Sequence, residues 1–173
     1  MDTGATVRAD LSPYDFSAIT DQLFIAVRPR ARHVENVRGL GVDLVLSMLW
    51  FAPPRELMRP PFELRRLPMI DHPLFPIPLW MLRRGVDAAL PVLDAGGRVL
   101  VYCRGGRHRS VAMACCILIA RGMSADAAMD LVVQRRPVAD PHARYIESRI
   151  RRFERDWHER RTAASPRSEG EGE

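Results

Sequence analysis

A chain of 173 residues is long enough for one domain with a single hydrophobic core. Its composition, 47% hydrophobic and 27% charged residues, is typical of a folded globular protein and excludes a largely disordered chain. The formal net charge is +5, and the 26 basic residues are all arginine, which excludes a Schiff-base lysine and a phosphate-binding lysine.

The first half of the chain alternates short apolar runs with loops. Residues 1–18 are predicted to be loosely held. A helix is expected over 31–40, ending at glycines. Four prolines make 51–61 a loop, and three more make 71–78 another. Three apolar runs are predicted to be strands: 23–27, 43–49 and 62–69.

The second half is richer in helical patterns. Leucines and valines at helical spacing predict a helix over 79–93, which Pro91 should kink or shorten. The apolar run 98–102 is typical of a buried central strand. Residues 161–173 are predicted to form a disordered acidic tail. Further helices are expected over 110–121, 124–134 and 142–160. Strands alternating with helices predict a single-domain α/β fold, with a mostly parallel central sheet flanked by helices.

The cysteines and the apolar runs bear on the compartment. There are three cysteines, two of them adjacent, so a disulfide framework is not expected. Free thiols suit a reducing cytoplasm. The N-terminus has no apolar run resembling a secretory signal, and the longest apolar stretch, 111–120, is too short to span a bilayer. A cytoplasmic protein without a transmembrane segment is therefore expected.

One segment carries chemistry: Val99-Leu-Val-Tyr-Cys103-Arg-Gly-Gly-Arg-His-Arg109-Ser110. A buried strand ends at a cysteine, a loop with two glycines follows, and a helix then begins. Backbone N–H groups in such a loop can point inward and form an anion nest, to which the helix N-terminus adds its dipole. Arg109 can clamp two phosphate oxygens with its planar guanidinium. The loop therefore predicts a phosphate site lined by Arg104, Gly105, Gly106, Arg107, His108 and Arg109.

The same electrostatic field acts on the sulfur of Cys103. A thiol near a helix N-terminus and cations can have its pKa lowered to about 3.5–7.5, which makes it a nucleophilic thiolate. The Ser110 hydroxyl is placed to hydrogen-bond this sulfur and ease its departure. Asp71 ends a strand-like run and begins a proline-stiffened loop, so it is the candidate general acid and base on a lid. Its alternative role is to cap a turn beside Pro73.

These residues resemble the active site of the cysteine-dependent protein phosphatases. The pattern Cys103-x5-Arg109-Ser110 matches their loop, and Asp71, 32 residues before Cys103, resembles the small atypical dual-specificity branch. Segments 21–25 and 136–141, followed by Phe153-Glu154, resemble that branch's first strand, closing turn and last helix. The resemblance covers about residues 20–157.

The resemblance implies a tyrosine phosphatase-like catalytic domain over 19–160. It implies Cys103 as nucleophile, Arg109 as phosphate clamp, Asp71 as acid and base, and Ser110 as partner of the sulfur. It implies no metal and no cofactor. The expected substrate is a phosphorylated protein, with phosphotyrosine, phosphoserine or phosphothreonine, or another phosphoester. No nucleic acid partner is expected, and the oligomeric state is open.

One departure from the family pattern keeps alternatives open. The family usually has a histidine just before the cysteine, whereas this chain has Tyr102. A phosphate-binding module without turnover is therefore a second hypothesis. The basic loop residues Arg104, Arg107 and His108 also favour a phosphoinositide or phospholipid substrate. A third hypothesis is sulfur transfer or arsenate reduction on a similar loop.

The other reactive side chains have plainer interpretations. Cys115 and Cys116 lie in an apolar helix and are expected in the core, with a redox partnership to Cys103 as the alternative. A zinc site formed by them with Cys103 and His108 does not match structural zinc spacings. The arginines of 149–161 form a basic helix face, either solvated or in peripheral contact with an acidic membrane.

Overall fold

The computed structural model describes residues 13–164, which form a central sheet with helices on both faces. The strands are β1 (Phe16–Ala18), β2 (Leu23–Ala26), β3 (Leu44–Ser47), β4 (Glu63–Arg66) and β5 (Val99–Tyr102). The helices are α1 (Val34–Gly39), α2 (Leu79–Asp94), α3 (Arg109–Ala120), α4 (Ala125–Arg135) and α5 (Arg144–Ala164). Two 3₁₀ helices, Ala31–His33 and Arg55–Met58, complete this part of the chain.

The strands form one sheet in the order β1-β2-β5-β3-β4. The neighbours β2, β5, β3 and β4 run parallel, and β1 is antiparallel to β2 at the edge. This confirms the expected α/β fold with a mostly parallel sheet. Since the carboxyl ends of parallel strands meet at one edge, the loops that follow β2, β3, β4 and β5 converge there.

The core lies on both faces of the sheet. Val99 and Val101 of β5 pack with α2, α3, α4 and α5 on one face. Leu100 and Tyr102 of β5 face the other side, with residues of α1 and of the second 3₁₀ helix. All four residues of β5 are buried, as expected for a central strand covered on both faces. Every residue of α3 is buried as well, so this helix is held firmly behind the loop at 103–108.

Local sequence signals account for several boundaries. The Ser124 hydroxyl accepts a 3.2 Å hydrogen bond from the backbone N–H of Ala127, confirming it as the N-cap of α4. Gly122, with φ of 105°, follows the end of α3, where a left-handed residue is common. Helix α2 has Pro91 within it and runs to Asp94, so the proline does not shorten it.

Three further elements differ from the predictions. β1 lies in the segment expected to be loosely held, because three residues suffice to pair with β2 without a strand-like apolar pattern. The proline-rich loop contains a 3₁₀ helix, which buries Leu57. Helix α5 continues to Ala164, into the start of the expected tail. The remaining parts of the predicted loose segment and of the acidic tail, 1–12 and 165–173, lie outside the described residues. Within 13–164, no helix has both the length and the apolar character needed to cross a bilayer.

Candidate active site

The loop that carries Cys103, residues 103–108, is called the cysteine loop below. Residues outside this loop donate hydrogen bonds to three of its backbone carbonyls. The backbone N–H of Arg28 donates to the carbonyl of Arg104 at 3.3 Å, and that of Asp140 donates to the carbonyl of Arg107 at 3.0 Å. Arg136 donates from Nε to the carbonyl of Gly106 at 2.7 Å. These three carbonyls are bound from outside and do not point into the loop, as an anion nest requires.

Cys103 lies at the floor of this loop, with its side chain almost fully buried. Its sulfur is 3.2 Å from the Ser110 hydroxyl oxygen. Burial by itself raises the pKa of the Cys103 thiol. The Ser110 hydroxyl, the backbone N–H groups of Ser110 and Arg107, and the charge of Arg109 outweigh burial and lower the pKa below its ordinary value. The local field therefore favours a thiolate, as the sequence predicts.

Arg109 begins α3 and is mostly buried beside the loop. Its Nη1 donates to the carbonyl of Met69 at 3.1 Å, which fixes the plane of the guanidinium. Its Nε is 3.3 Å from Asp71 Oδ2 but has no hydrogen bond of good geometry among residues 13–164. A buried donor of this kind is unusual, because buried polar groups are generally paired. Arg109 thus keeps donor capacity for an oxyanion in the loop.

The Asp71 carboxylate is about three-quarters buried and lies between three side chains. Tyr145 donates from its hydroxyl to Asp71 Oδ1 at 2.7 Å. His108 Nδ1 is 3.3 Å from the same oxygen, and Arg109 Nε approaches the other. The structure therefore places Asp71 beside the cysteine loop. The alternative role, capping the turn at Pro73, does not explain this position.

Helix α5 holds both ends of the lid, residues 71–78. Tyr145 holds Asp71 at the start of the lid, and Arg149 donates from Nε to the carbonyl of Ile77 at 2.8 Å near its end. Burial and the neighbouring carboxylate of Asp71 raise the pKa of the Tyr145 phenol, so it remains a hydrogen-bond donor at neutral pH. Sequence reasoning missed Tyr145, since no local signal connects it to a residue so distant in the chain.

Arg136 is a second residue that sequence reasoning left without a role. It is fully buried, although arginine is rarely buried unless paired. Besides Gly106, it contacts both carboxylate oxygens of Asp15, at 2.9 and 3.1 Å, and the hydroxyl of Ser17 at 3.1 Å. Arg136 therefore ties the cysteine loop to the segment around β1.

The five residues of the predicted phosphate site other than Arg109 differ in their exposure and contacts. Gly105 and Arg104 are exposed, and Gly106 is buried with a φ of 60° that favours glycine. The Arg107 side chain points to Asp140, with its Nη2 3.3 Å from Oδ2. His108 turns toward Asp71, and its ring lies edge-on to the ring of Tyr145. The side chains of Arg107 and His108 thus contact the acidic residues Asp140 and Asp71.

Tyr102, which stands where the family pattern has histidine, is buried at the end of β5. Burial raises the pKa of its phenol, an effect partly offset by the nearby Ser47 hydroxyl. The hydroxyl faces the side of the sheet packed by α1, whereas Cys103 packs on the opposite side. Tyr102 is therefore a core residue and does not contact the sulfur through its hydroxyl.

The other two cysteines are core residues. Cys115 and Cys116 are fully buried in α3, and burial raises the pKa of both thiols far above the ordinary value. Their inertness counts against the redox and arsenate-reduction alternatives, which need a resolving thiolate. Across residues 13–164, no cluster of histidine, cysteine and acidic side chains forms a metal site.

The basic face of α5 is partly paired. Arg151 contacts Glu147 and Asp126, each at 2.7 Å, and Asp156 contacts both Arg83 and Arg160. Exposed pairs of this kind contribute little to stability. The contacts reduce the positive charge that this face presents to a membrane.

Comparison with known proteins agrees with this geometry. No protein-family model matches the chain. Dual specificity phosphatase 28 of Mus musculus is 32% identical over 136 residues, covering 78% of this chain and 81% of the relative. The crystal structure of human DUSP28 superposes with a TM-score of 0.72 at 27% identity, covering 83% of this chain and 99% of that one. The fold also matches that of PTPMT1 in complex with PI(5)P, with a TM-score of 0.75, 22% identity, and coverage of 84% and 98%.

The match to the mouse relative extends over most of both chains and is high enough to establish common family membership. The fold is also the one found in these solved phosphatase structures. The chain is a cysteine-dependent phosphatase and belongs to the small dual-specificity branch of that family.

Proposed function

We propose that this protein dephosphorylates phosphorylated proteins through a phosphocysteine intermediate at Cys103. The observation that carries the proposal is the environment of the sulfur. It lies 3.2 Å from the Ser110 hydroxyl, and its pKa is lowered despite burial. A cysteine in an anion-binding loop whose lowered pKa favours the thiolate is the nucleophile that phosphoryl transfer to cysteine needs.

In the first step, the Cys103 thiolate attacks phosphorus in line with the leaving oxygen. An S–P bond forms while the P–O bond breaks, and the Asp71 carboxyl gives its proton to the departing oxygen. Arg109 and the loop N–H groups bind the equatorial phosphate oxygens, whose charge they stabilise in the transition state. The position of Asp71, 3.3 Å from Arg109 Nε, supports this role because it puts the acid beside the phosphate clamp.

In the second step, water attacks the phosphocysteine and Asp71 takes a proton from it. The S–P bond breaks, and the Ser110 hydroxyl stabilises the thiolate that departs. A general acid or base of this kind contributes about 10²–10⁴-fold to rate. Asp71→Asn should therefore slow turnover by roughly that factor while leaving phosphate binding intact.

The direct test is a phosphatase assay on phosphotyrosine and phosphoserine peptides with the wild-type protein and Cys103→Ser. Turnover and a trapped phosphocysteine should appear in the wild type and vanish in the variant. Activity that survives Cys103→Ser would refute the nucleophile. Phosphopeptide binding without turnover in the wild type would favour the non-catalytic module instead.

A phosphoinositide substrate is the second candidate, and exposed apolar side chains favour it. Several large ones are 47–79% exposed on segments that follow β3 and β4, at the sheet edge where Cys103 lies: Trp50, Phe51, Ile70, Leu74, Phe75 and Trp80. Such side chains suit the interface of a membrane. Release of phosphate from phosphoinositide vesicles, at rates above those for phosphopeptides, would select this candidate.

A further inference from the structure

A basic cavity opens directly beside the cysteine loop. It has a volume of about 980 Å³, and Arg104, the residue after Cys103, forms part of its wall. Most of the remaining lining comes from the segment after β2 and from the proline-rich loop after β3. The hydrogen bond from the N–H of Arg28 to the carbonyl of Arg104 fixes the wall after β2 against the cysteine loop.

The lining of this cavity is strongly positive. Among residues 13–164, five arginines line it, against two acidic residues. One of these acidic residues, Asp15, is already paired with Arg136. The Arg28 guanidinium lies over the ring of Phe51, whose centroid is 5.4 Å from the guanidinium carbon. The arginines are Arg28, Arg30, Arg32, Arg55 and Arg104.

A second, smaller cavity continues the basic surface. It has a volume of about 330 Å³ and shares Arg55 and Glu56 with the first. It adds Arg59 and Arg38, of which Arg38 is paired with Glu35 at 2.7 Å. The positive surface that starts at Arg104 is therefore longer than one compact ligand would cover. The first cavity alone is roughly 10 Å across, which about three residues of extended chain would span.

We propose that these two cavities form a subsite for an acidic segment of a phosphoprotein substrate, next to the phosphorylated residue in the catalytic loop. Guanidinium groups bind carboxylates in planar, bidentate geometry, so arginine suits a run of Asp or Glu side chains. The length of the basic surface favours a peptide over a single headgroup. This subsite deepens the proposed function, since it rests on a phosphoprotein being the substrate.

The test compares two phosphopeptides that differ only in three residues on one side of the phosphorylated residue, Glu in one and Gln in the other. A second pair places the three residues on the opposite side, because the direction of the chain is open. The wild-type protein should prefer one Glu peptide by about tenfold in kcat/KM, mainly through KM. The preference should decline as salt rises, since exposed charges are screened.

The double variant Arg30→Gln/Arg55→Gln should bring the ratio between the Glu and Gln peptides close to one. Both side chains are exposed, so folding should be unaffected. The control Arg155→Gln/Arg161→Gln removes the same charge from exposed positions on α5 and should keep the preference. Equal rates on both peptides in the wild type, or an equal loss of preference in the two double variants, would overturn the subsite.

A second readout separates this subsite from the proposed chemistry. Binding of the same peptides to Cys103→Ser, measured by calorimetry, reports the subsite even if turnover fails on every peptide. The contrary outcome is that the Arg30→Gln/Arg55→Gln change weakens binding of phosphoinositide vesicles or of an oligonucleotide but leaves binding of the Glu peptide unchanged. In that case the occupant is not an acidic peptide and the proposal is wrong.

Discussion

Tyr145 donates a 2.7 Å hydrogen bond to the Asp71 carboxylate across 74 positions of sequence. The contact joins the last described helix to the start of the lid. Arg149 joins the same helix to Ile77 at the far end of the lid. Helix α5 therefore sets the position of the proposed acid relative to the cysteine loop, and Tyr145 is a positioning residue.

Replacing Tyr145 by Phe should test this relationship. Loss of a hydrogen bond to a charged group should lower kcat by about tenfold. The reduction should be larger for substrates with poor leaving groups, which need the proton from Asp71, than for aryl phosphates with good ones. Steady-state rates across a series of leaving groups measure this difference.

The control is Ser148→Ala, which removes another hydroxyl from α5, one bonded only to the helix backbone at Tyr145. It should leave the leaving-group dependence unchanged. A Tyr145→Phe enzyme that slows equally on all leaving groups would show that Tyr145 acts on the fold and not through Asp71.

Alkylation of Cys103 should depend on pH in a way that Ser110 controls. The alkylation rate follows the thiolate fraction, which rises with pH through the thiol pKa. Because the pKa of Cys103 is lowered, the midpoint should lie below the ordinary 9.0. Ser110→Ala should move the midpoint upward and reduce the rate at pH 6 by about tenfold. Iodoacetamide labelling followed by mass spectrometry measures both.

Labelling should be selective, because burial raises the pKa of the thiols of Cys115 and Cys116. Cys103→Ser should abolish labelling of the folded protein. A midpoint that is the same in the wild type and in Ser110→Ala would contradict the role given to the serine.

The two glycines of the loop should respond differently to alanine. A Cβ on Gly106 would lie 2.6 Å from Arg136 Nη2 and 3.0 Å from the carbonyl of Ala26, at a φ of 60°. Gly106→Ala should therefore destabilise the protein by about 2 kcal/mol and lower kcat/KM by at least about tenfold. A Cβ on Gly105 would meet nothing within 4 Å, so Gly105→Ala is the matched control.

Urea unfolding and phosphatase assays measure both variants. Gly105→Ala should change the free energy of unfolding by less than about 1 kcal/mol. Equal losses in the two variants would mean that the loop requires flexibility at both positions and that the contact with Arg136 is not decisive.

The effects of Arg136 and Asp15 on the free energy of unfolding should be coupled. Arg136 is fully buried, whereas the Asp15 side chain is 56% exposed, so losing Asp15 leaves a buried charge that is poorly compensated. Asp15→Asn should lower the free energy of unfolding by about 2 kcal/mol. This loss is smaller than for a fully buried pair because water reaches the carboxylate. Arg136→Gln should cost more, since it also loses the bond to Gly106.

A double-mutant cycle on these two residues isolates the pairwise interaction free energy, which should be about 1 kcal/mol or more. Additive losses would show that Arg136 acts through Gly106 and Ser17 alone. Phosphate binding by each variant reports whether the loop itself has moved.

The fold class and the chemistry of the loop can be predicted from the amino-acid sequence. Apolar runs at strand length, alternating with helical spacing, predict a mostly parallel sheet, since local burial patterns are encoded locally. Cys103, Gly106, Arg109 and Ser110 are neighbours in the chain, so one strand–loop–helix unit brings them together. The place of Asp71, at the end of a strand-like run and the start of a proline-stiffened loop, predicts it as the acid and base.

The distant residues that support the loop are known from the folded structure and not from local sequence patterns. Tyr145, Arg136 and Asp15 reach the site from α5, the end of α4 and the segment before β1, and no local pattern specifies such contacts. The basic cavity likewise forms where three segments meet, so its positive lining could not be located from net charge. Packing of α3 and α5 against the sheet creates these relationships, because only in the folded chain do burial and charge pairing act across such separations.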